Sequence, residues 1–230
     1  MLTAKKKISV REAVPQSTSL DWWYDVQEFV KANSKLIIGG IVAIVAIIAV
    51  IVILNARNAE NEEMASRMLQ QAQVAYQQQQ YKIAIEGDPQ AGTAGLRAIV
   101  DQYSGTTSGS LAALYLGNSY LYTDQFDKAL EAFDEASLNS DVLESALVSG
   151  RAAALEGKKQ YAEAASLYEK AAGIDDNDFL QASRYFNAGR MYAMAGDKEA
   201  AKKMFDFVTA AETPRYDRDV ERLKAQYGVE

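Results

Sequence analysis

Few residues of this chain have the chemistry of a catalytic site. The sequence contains no His and no Cys, so it lacks the commonest general base, the thiol nucleophile and the usual transition-metal ligands. Gly157-Lys158 could end a phosphate-binding loop, but that motif requires a glycine at position 152, which is Ala152. We therefore expect Gly157-Lys158 to connect two helices rather than to bind a nucleotide.

Residues 175–178 (DDND) are the best candidates for binding a metal ion. A calcium loop of the EF-hand type that began here would require Gly at position 180 and Glu at position 186, where the chain has Leu180 and Phe186. We expect instead a loop that caps the next helix. The sequence thus predicts no metal, no cofactor, no small-molecule substrate and no enzymatic activity, which leaves binding functions.

The most prominent element is an apolar stretch, residues 36–54 (LIIGGIVAIVAIIAVIVIL), which has no charged, amide or hydroxyl side chain. As an α-helix it would be about 28 Å long, close to the hydrocarbon core of a bilayer at about 30 Å. The surface helix of a globular domain would carry a polar stripe, and this stretch has none. It is therefore predicted to be a transmembrane helix.

We expect this helix to be a retained anchor, because a cleaved signal has a short basic leader and an apolar core of only about 7–15 residues. Six basic residues precede the stretch, whereas only Arg57 and Arg67 occur in the twenty residues after it. The positive-inside rule then places the N-terminus in the cytoplasm and the C-terminal domain on the other side of the membrane.

The domain beyond the apolar stretch is acidic. Residues 36–230 contain 18 basic and 27 acidic side chains, which gives a net charge of −9. Contacts to phosphates require clustered Lys and Arg, so the domain is predicted not to bind nucleic acid.

Two segments precede the apolar stretch. Residues 1–17 are interpreted as a basic cytoplasmic tail, and residues 18–35 as an interfacial amphipathic helix. Trp22, Trp23 and Tyr24 suit the headgroup region of a bilayer, where an amphipathic ring can be half wet. These aromatic residues form either a membrane anchor belt or a docking element for a cytoplasmic or intramembrane partner.

A row of small residues lies within the apolar stretch. Gly39, Ala43 and Ala46 share one helix face, together with Val50. Small residues at this spacing allow another helix to approach closely, although such residues are also common in spans without partners. The sequence leaves open whether the span is only a tether or also packs against a partner helix.

A repeated pattern of small and aromatic residues determines the predicted fold of the acidic domain. Its copies are offset by 35 and then 37 residues, and each has a second helix with a small–aromatic–small spacing. The three sets are Ala129, Phe133 and Ala136; Ala164, Tyr168 and Ala171; and Ala201, Phe205 and Val208. Each copy is preceded by a first helix with a small residue and a larger one three positions later: Gly117 and Tyr120, Ala152 and Leu155, Gly189 and Tyr192.

Helix–turn–helix units of this period resemble the tetratricopeptide repeat (TPR), although the family's early Trp is missing from each copy. The predicted fold is all-α: a single N-terminal transmembrane helix, residues 36–54, followed by a TPR-like α-solenoid of helix–turn–helix repeats. The predicted boundaries beyond the span are a helical stalk and degenerate opening hairpin (55–109), three repeats (110–141, 142–178 and 179–214) and a C-terminal capping helix (215–230).

Within the stalk and opening hairpin, the helix is expected to continue without a break to about Ile85, because no Pro or Gly occurs before Gly87. Residues 77–80 (QQQQ) would then be a solvated helix face. Gly87-Asp88-Pro89 is a turn signal that would end this helix.

The layout of a cytoplasmic arm, one span and a small acidic TPR domain resembles the YfgM-like family of bacterial inner-membrane proteins. That family is ancillary to the SecYEG translocon and is linked to periplasmic chaperones. The resemblance is carried by residues 29–33 (FVKAN), 65–76 and 105–133. It implies an inner (cytoplasmic) membrane location with a periplasmic domain, and protein partners of the translocon or chaperone type.

The first helices of TPR arrays line a concave surface, which is the expected partner-binding face. It is mostly apolar, which favours an amphipathic helix or an extended segment of a partner over the charged clamps that hold a C-terminal carboxylate. The predicted residues of this face are Leu111, Leu114, Asn118, Leu121, Tyr122, Phe186, Arg190 and Met194, with Ser149, Ala153 and Ser183 between them.

The leading functional hypothesis is a single-pass membrane adaptor that presents this scaffold near protein translocation or folding machinery. A second hypothesis is an accessory structural subunit of a large respiratory or photosynthetic membrane complex. A third is a holdase that binds unfolded proteins.

Overall fold

The computed structural model describes residues 19–174, 177–210 and 214–229. The chain divides into two units, Met1–Asn55 and Ala56–Glu230. The basic tail predicted for residues 1–17 and the first two acids of residues 175–178 lie outside the described residues. The elements are α1 (Ser19–Ala32), α2 (Ser34–Gln77), α3 (Tyr81–Glu86), β1 (Gly87–Asp88), β2 (Thr93–Ala94), α4 (Leu96–Tyr103), α5 (Thr107–Leu121), α6 (Phe126–Asp134), α7 (Asp141–Gly157), α8 (Tyr161–Ala172), α9 (Asp178–Ala195), α10 (Lys198–Ala210) and α11 (Pro214–Tyr227).

The first unit contains α1 and the apolar part of α2. Helix α1 ends at Ala32, and Asn33, which lies between α1 and α2, donates its side-chain Nδ2 to the carbonyl of Phe29 at 2.9 Å. An 18-residue window of α2 has a mean hydropathy of 3.4 and none of it is buried. By length and composition, α2 is the one helix among the described residues that could cross a membrane.

The second unit consists of antiparallel helix pairs joined by a repeated turn. In each turn a residue with positive φ follows the first helix, and the next residue donates its backbone N–H to a carbonyl five positions earlier, at 2.9–3.0 Å. This satisfies carbonyls that the end of a helix leaves free. The positive-φ residues are Gln79, Asp124, Lys159 and Gly196.

The turn at Gln79 corrects the prediction of an unbroken helix to Ile85. Helix α2 ends at Gln77, so the run of four glutamines is the turn of an opening helix pair and not a helix face. Residues at equivalent distances from the four turns are buried alike: Ala84, Ala129, Ala164 and Ala201 are fully buried. The opening hairpin is therefore a fourth copy of the unit.

Strands β1 and β2 interrupt the second helix of this opening pair. They form an antiparallel hairpin in which Gly87 pairs with Ala94 and Asp88 with Thr93. Asp88 occupies the place that an aromatic residue holds in the other copies, so the core is completed beyond the hairpin by Leu96, Ile99 and Val100 of α4. The missing aromatic explains why the sequence shows this copy only in degenerate form.

The small–aromatic spacing of the repeats produces close helix crossings. A Cβ atom at Gly117 would overlap the ring of Phe133, and one at Gly150 would lie 2.5 Å from the same ring. In the last pair, a Cβ at Gly189 would lie 2.7 Å from Phe205. Both rings are fully buried, so they fill the space that the glycines leave between helices.

Helix α11 covers the end of the array. Its Val220 and Leu223 are buried, and they belong to one hydrophobic cluster with Phe205 and Val208 of α10. The all-α repeat fold with one long apolar N-terminal helix is thus confirmed.

Candidate functional site

The residues of the predicted partner-binding face differ widely in exposure. Tyr122 is 63% exposed, whereas Leu114 is only 8% exposed and belongs to the core cluster. Leu114 therefore packs within the chain and offers little surface, and its contact with a partner stays a prediction. Helix α5 is surrounded by α3, α4, α6 and α7, and ten of its fifteen residues are buried, so little of its circumference remains for a partner.

Residues of the face in α9 are half-buried and already in contact with neighbours. Phe186 stacks on Tyr216 of α11, with ring centroids 4.9 Å apart, because the capping helix packs against this end of the array. Met194 packs against the cluster formed by α7, α8, α9 and α10. Arg190 forms an ion pair with Glu156. These three predicted residues of α9 therefore already have partners within the chain, and this half of the face offers little free surface.

Four tyrosines come together where α2, α3 and α5 meet, and we call them the tyrosine cluster: Tyr76, Tyr81, Tyr115 and Tyr122. The ring of Tyr76 lies at the centre, 5.0 Å from Tyr115 and 5.7 Å from Tyr81 in edge-to-face arrangements. The rings of Tyr81 and Tyr122 stack at 4.5 Å with an interplanar angle of 12°. Such aromatic pairs are favourable beyond the area they bury.

Burial and the neighbouring Tyr122, Tyr81 and Tyr115 raise the pKa of Tyr76 to about 12, while a hydrogen bond with the side chain of Asn118 opposes the shift. The phenol of Tyr76 is therefore neutral at any physiological pH. Asn118, one of the predicted face residues, lies in this cluster and has a structural partner there.

An open groove of about 480 Å³ adjoins the tyrosine cluster through Tyr122. Leu121, Phe126 and Ala153 contribute apolar side chains to its wall, and Glu156 is the one charged residue among its described lining residues. Gly157 completes the lining. Leu121 and Tyr122, predicted from the sequence, thus line one groove with Ala153 of the next repeat.

A polar network fixes Glu156 at the edge of this groove. Arg190 donates to both carboxylate oxygens, at 2.8 and 3.0 Å, and the hydroxyl of Tyr168 donates to Oε2 at 3.2 Å. Burial, followed by the nearby Glu156, raises the pKa of Tyr168 well above its usual value. The network ties α7, α8 and α9 together, so its role is structural.

The described residues contain no group of three or more carboxylates that could hold a metal ion. Half-buried carboxylates of the second unit have partners within the chain: Glu169 accepts from the Tyr192 hydroxyl at 2.8 Å, and Asp88 accepts from the backbone N–H of Gln90 at 2.9 Å. Apolar grooves and aromatic faces of this kind bind segments of other proteins.

The sequence analysis did not identify the half-buried Tyr76, Tyr81 and Tyr115 as members of the candidate site. The signal for Tyr115 was present, because Tyr115, Asn118 and Tyr122 recur at helical spacing on one face of α5. Tyr76 and Tyr81 could not be placed, because residues 77–80 were predicted to be helical and the turn between the two tyrosines was not foreseen.

The candidate anchor residues of the first unit are all exposed. Trp22, Trp23 and Tyr24 are 67%, 51% and 64% exposed, and the two indole rings lie 6.3 Å apart. A Cβ atom at Gly39 would meet nothing within 4 Å, and Ala43 and Ala46 are exposed on the same helix. Their role in a membrane stays a prediction.

Comparison with known proteins identifies one matching family model. The model for the tetratricopeptide repeat-like domain matches residues 27–226, which is most of the chain and includes the apolar part of α2. No curated protein and no solved structure matches the chain.

Proposed function

We propose that this chain, which belongs to the tetratricopeptide repeat-like domain family, is a single-pass membrane-anchored scaffold whose acidic domain binds other proteins. The observation that carries this proposal is the tyrosine cluster with its adjoining apolar groove, on a repeat fold that is typically a non-catalytic scaffold. We further propose that the protein is not an enzyme.

Membrane anchoring is supported by the apolar part of α2. Its side chains from Leu36 to Leu54 are exposed, apart from a partly covered Ile37, and they would be unstable in water as a continuous apolar surface. The exposed indoles of Trp22 and Trp23, which precede it, have the amphipathic character of residues at a membrane interface.

We propose a bacterial inner membrane, with the N-terminus cytoplasmic and the domain periplasmic, from the basic flank of the span. The absence of Cys offers a direct test: single cysteines introduced by Lys5→Cys or Phe179→Cys are labelled in intact cells with a membrane-impermeant maleimide. Labelling of Phe179→Cys alone is expected. Labelling of Lys5→Cys alone would show the opposite orientation, with the N-terminus outside the cytoplasm.

The resemblance to the YfgM-like family supports partners in protein translocation or folding. The test is purification of the full-length protein from native membranes in mild detergent, followed by mass spectrometry. Enrichment of translocon or chaperone subunits over a control span with an unrelated domain is expected. If neither class is recovered, this partner assignment is wrong.

The open face at Gly39 favours a second candidate function, an accessory subunit of a large respiratory or photosynthetic complex. A Cβ at either Gly39 or Gly40 has free space, so a partner helix could approach the backbone closely. This function predicts stable co-migration with such a complex on native gels, and loss of co-migration in Gly39→Leu plus Ala43→Leu. Migration free of any large complex would exclude it.

A further inference from the structure

We infer that the groove beside Tyr122 binds an extended, positively charged segment of a partner protein, with an arginine or lysine side chain lying over the Tyr122 ring. This inference rests on the proposed scaffold function and specifies the chemistry of its partner. Three features of the described residues carry it: the orientation of Tyr122, the charge at the groove and the size of the groove.

The stacking of Tyr81 and Tyr122 leaves one face of Tyr122 available. Tyr81 covers one side of the ring at 4.5 Å, yet Tyr122 remains 63% exposed and also lines the groove. An aromatic ring that is held from one side and open on the other is a preformed platform. Guanidinium and ammonium groups bind such faces, and their attraction increases when water is excluded.

The charge near the groove favours a cation. Glu156, the one charged residue among the described lining residues, is neutralised by its ion pair with Arg190, so the groove itself carries no net positive charge. Asp124 adds a negative charge, exposed in the turn that follows Tyr122. Glu156 accepts three hydrogen bonds from Arg190 and Tyr168, and a carboxylate has about four acceptor positions. One position therefore remains for a further donor.

The surroundings support the same sign of charge. Lys82 follows Tyr81 in sequence, but it lines a different depression, which includes Arg97 and Tyr120. Lys158, next to Gly157, is paired with Asp127 at 2.7 Å. The whole second unit carries 18 basic and 27 acidic side chains, so its net charge of −9 attracts a basic segment and repels an acidic one.

The groove fits an extended segment better than a helix. Its volume of about 480 Å³ accommodates a few side chains, whereas a docked amphipathic helix requires a long trough for anchors at successive turns. Leu121, Phe126 and Ala153 would contact the aliphatic part of the bound segment, and its cationic end would lie between Tyr122 and Glu156.

The test uses full-length protein in detergent micelles and three short fluorescein-labelled peptides. The first alternates arginine, proline and leucine, and in the other two every arginine is replaced by glutamine or by glutamate. Fluorescence anisotropy is expected to show binding of the arginine peptide, weakened by added salt, and binding at least about tenfold weaker for the glutamine peptide. The glutamate peptide is expected not to bind.

Variants of Tyr122 test whether its aromatic ring binds the arginine peptide. Tyr122→Ala should weaken binding of the arginine peptide about tenfold, whereas Tyr122→Phe, which keeps the ring, should bind normally. Phe179→Ala is the matched control, since Phe179 is an exposed aromatic residue of another repeat at 49% exposure. Circular dichroism verifies the fold of each variant.

The inference is overturned if no peptide binds, if the glutamine or glutamate peptide binds as well as the arginine peptide, or if Tyr122→Ala binds with unchanged affinity. These outcomes are distinguishable from failure of the proposed function. Suppose that specific partner proteins are recovered from native membranes but the arginine peptide does not bind. The scaffold function would then stand, and only the inference that the groove binds a cationic segment would be refuted.

Discussion

Gly39 and Gly117 illustrate the difference between the two units of this protein. Both are glycines in apolar helices, yet a Cβ at Gly117 would overlap the Phe133 ring, whereas a Cβ at Gly39 would meet nothing within 4 Å. Small residues in the repeat unit are thus required by packing within the chain. Among the described residues, the glycines in the apolar part of α2 have no such packing reason, which fits the proposal that this face contacts lipid or a partner helix.

The comparison also separates two sources of stability. The second unit buries its apolar residues against one another and is expected to fold through its own core. In the part of the chain that the structure describes, the apolar part of α2 buries none of its 18-residue window, so under the proposed membrane anchoring its energetics would be set by transfer into a bilayer. Changes in one region should therefore leave the other unaffected.

The largest expected effect is on membrane insertion. Ile44→Arg plus Ile47→Arg places two charges in the middle of the span, at a cost of about 2.5–3.5 kcal/mol each on the insertion scale. The double variant should move from the membrane fraction to the soluble or aggregated fraction in cell fractionation. Ile44→Leu plus Ile47→Leu is the control. Full membrane retention of the arginine variant would contradict the proposal that residues 36–54 anchor the protein.

The next largest effect is on the core of the repeats. Phe133→Ala removes a fully buried ring that contacts both Gly117 and Gly150, and it should lower the free energy of unfolding by about 3–5 kcal/mol. Urea denaturation followed by circular dichroism in detergent measures the change. Phe207→Ala, which removes a ring exposed at 44%, should cost far less. Equal losses would mean that Phe133 is not central to the core.

A smaller effect tests the two glycines directly. Gly117→Val should destabilise the second unit by about 1–3 kcal/mol, since the added side chain collides with Phe133. Gly39→Val should leave the urea transition of the second unit unchanged. A destabilised Gly39→Val would show that the small-residue face of the span is packed against the protein itself.

The smallest effect is a pH dependence of the tyrosine cluster. The pKa of Tyr76 is raised from 10.0 to about 12, so its stabilising contribution is complete below pH 10 and is lost as the pH rises towards 12. Tyr76→Phe keeps the ring and removes the titration. The unfolding free energy of this variant should therefore fall less steeply above pH 10 than that of the unchanged protein. Parallel slopes would exclude burial of the Tyr76 phenol.

The repeats could be predicted because their signal is local. Ala129 and Phe133, or Ala201 and Phe205, have a fixed spacing that any helical hairpin of this type requires, and the glycines opposite the aromatic rings mark the close crossings. The opening copy was predicted only in degenerate form, because the hairpin displaces its core residues and Asp88 stands where an aromatic would be expected.

The candidate groove could be predicted only in part. Its residues Leu121 and Tyr122 were singled out from helical spacing. The burial of Leu114 depends on four neighbouring helices and the contact of Phe186 depends on α11, and neither follows from that spacing. The tyrosine cluster requires that the turn at Gln79 bring Tyr76 and Tyr81 beside α5. No periodicity in the sequence encodes such a meeting of distant segments.

Site-specific photo-crosslinking in native membranes tests the central claim most directly. A photoreactive amino acid is placed singly at Tyr122 in the groove, at Phe207 on an exposed face of α10, and at Ile44 in the apolar part of α2. The scaffold function predicts discrete crosslinked proteins at Tyr122, lipid crosslinks at Ile44 and none of the Tyr122 products at Phe207. The absence of protein crosslinks at Tyr122, or the same products at Tyr122 and Phe207, would contradict it.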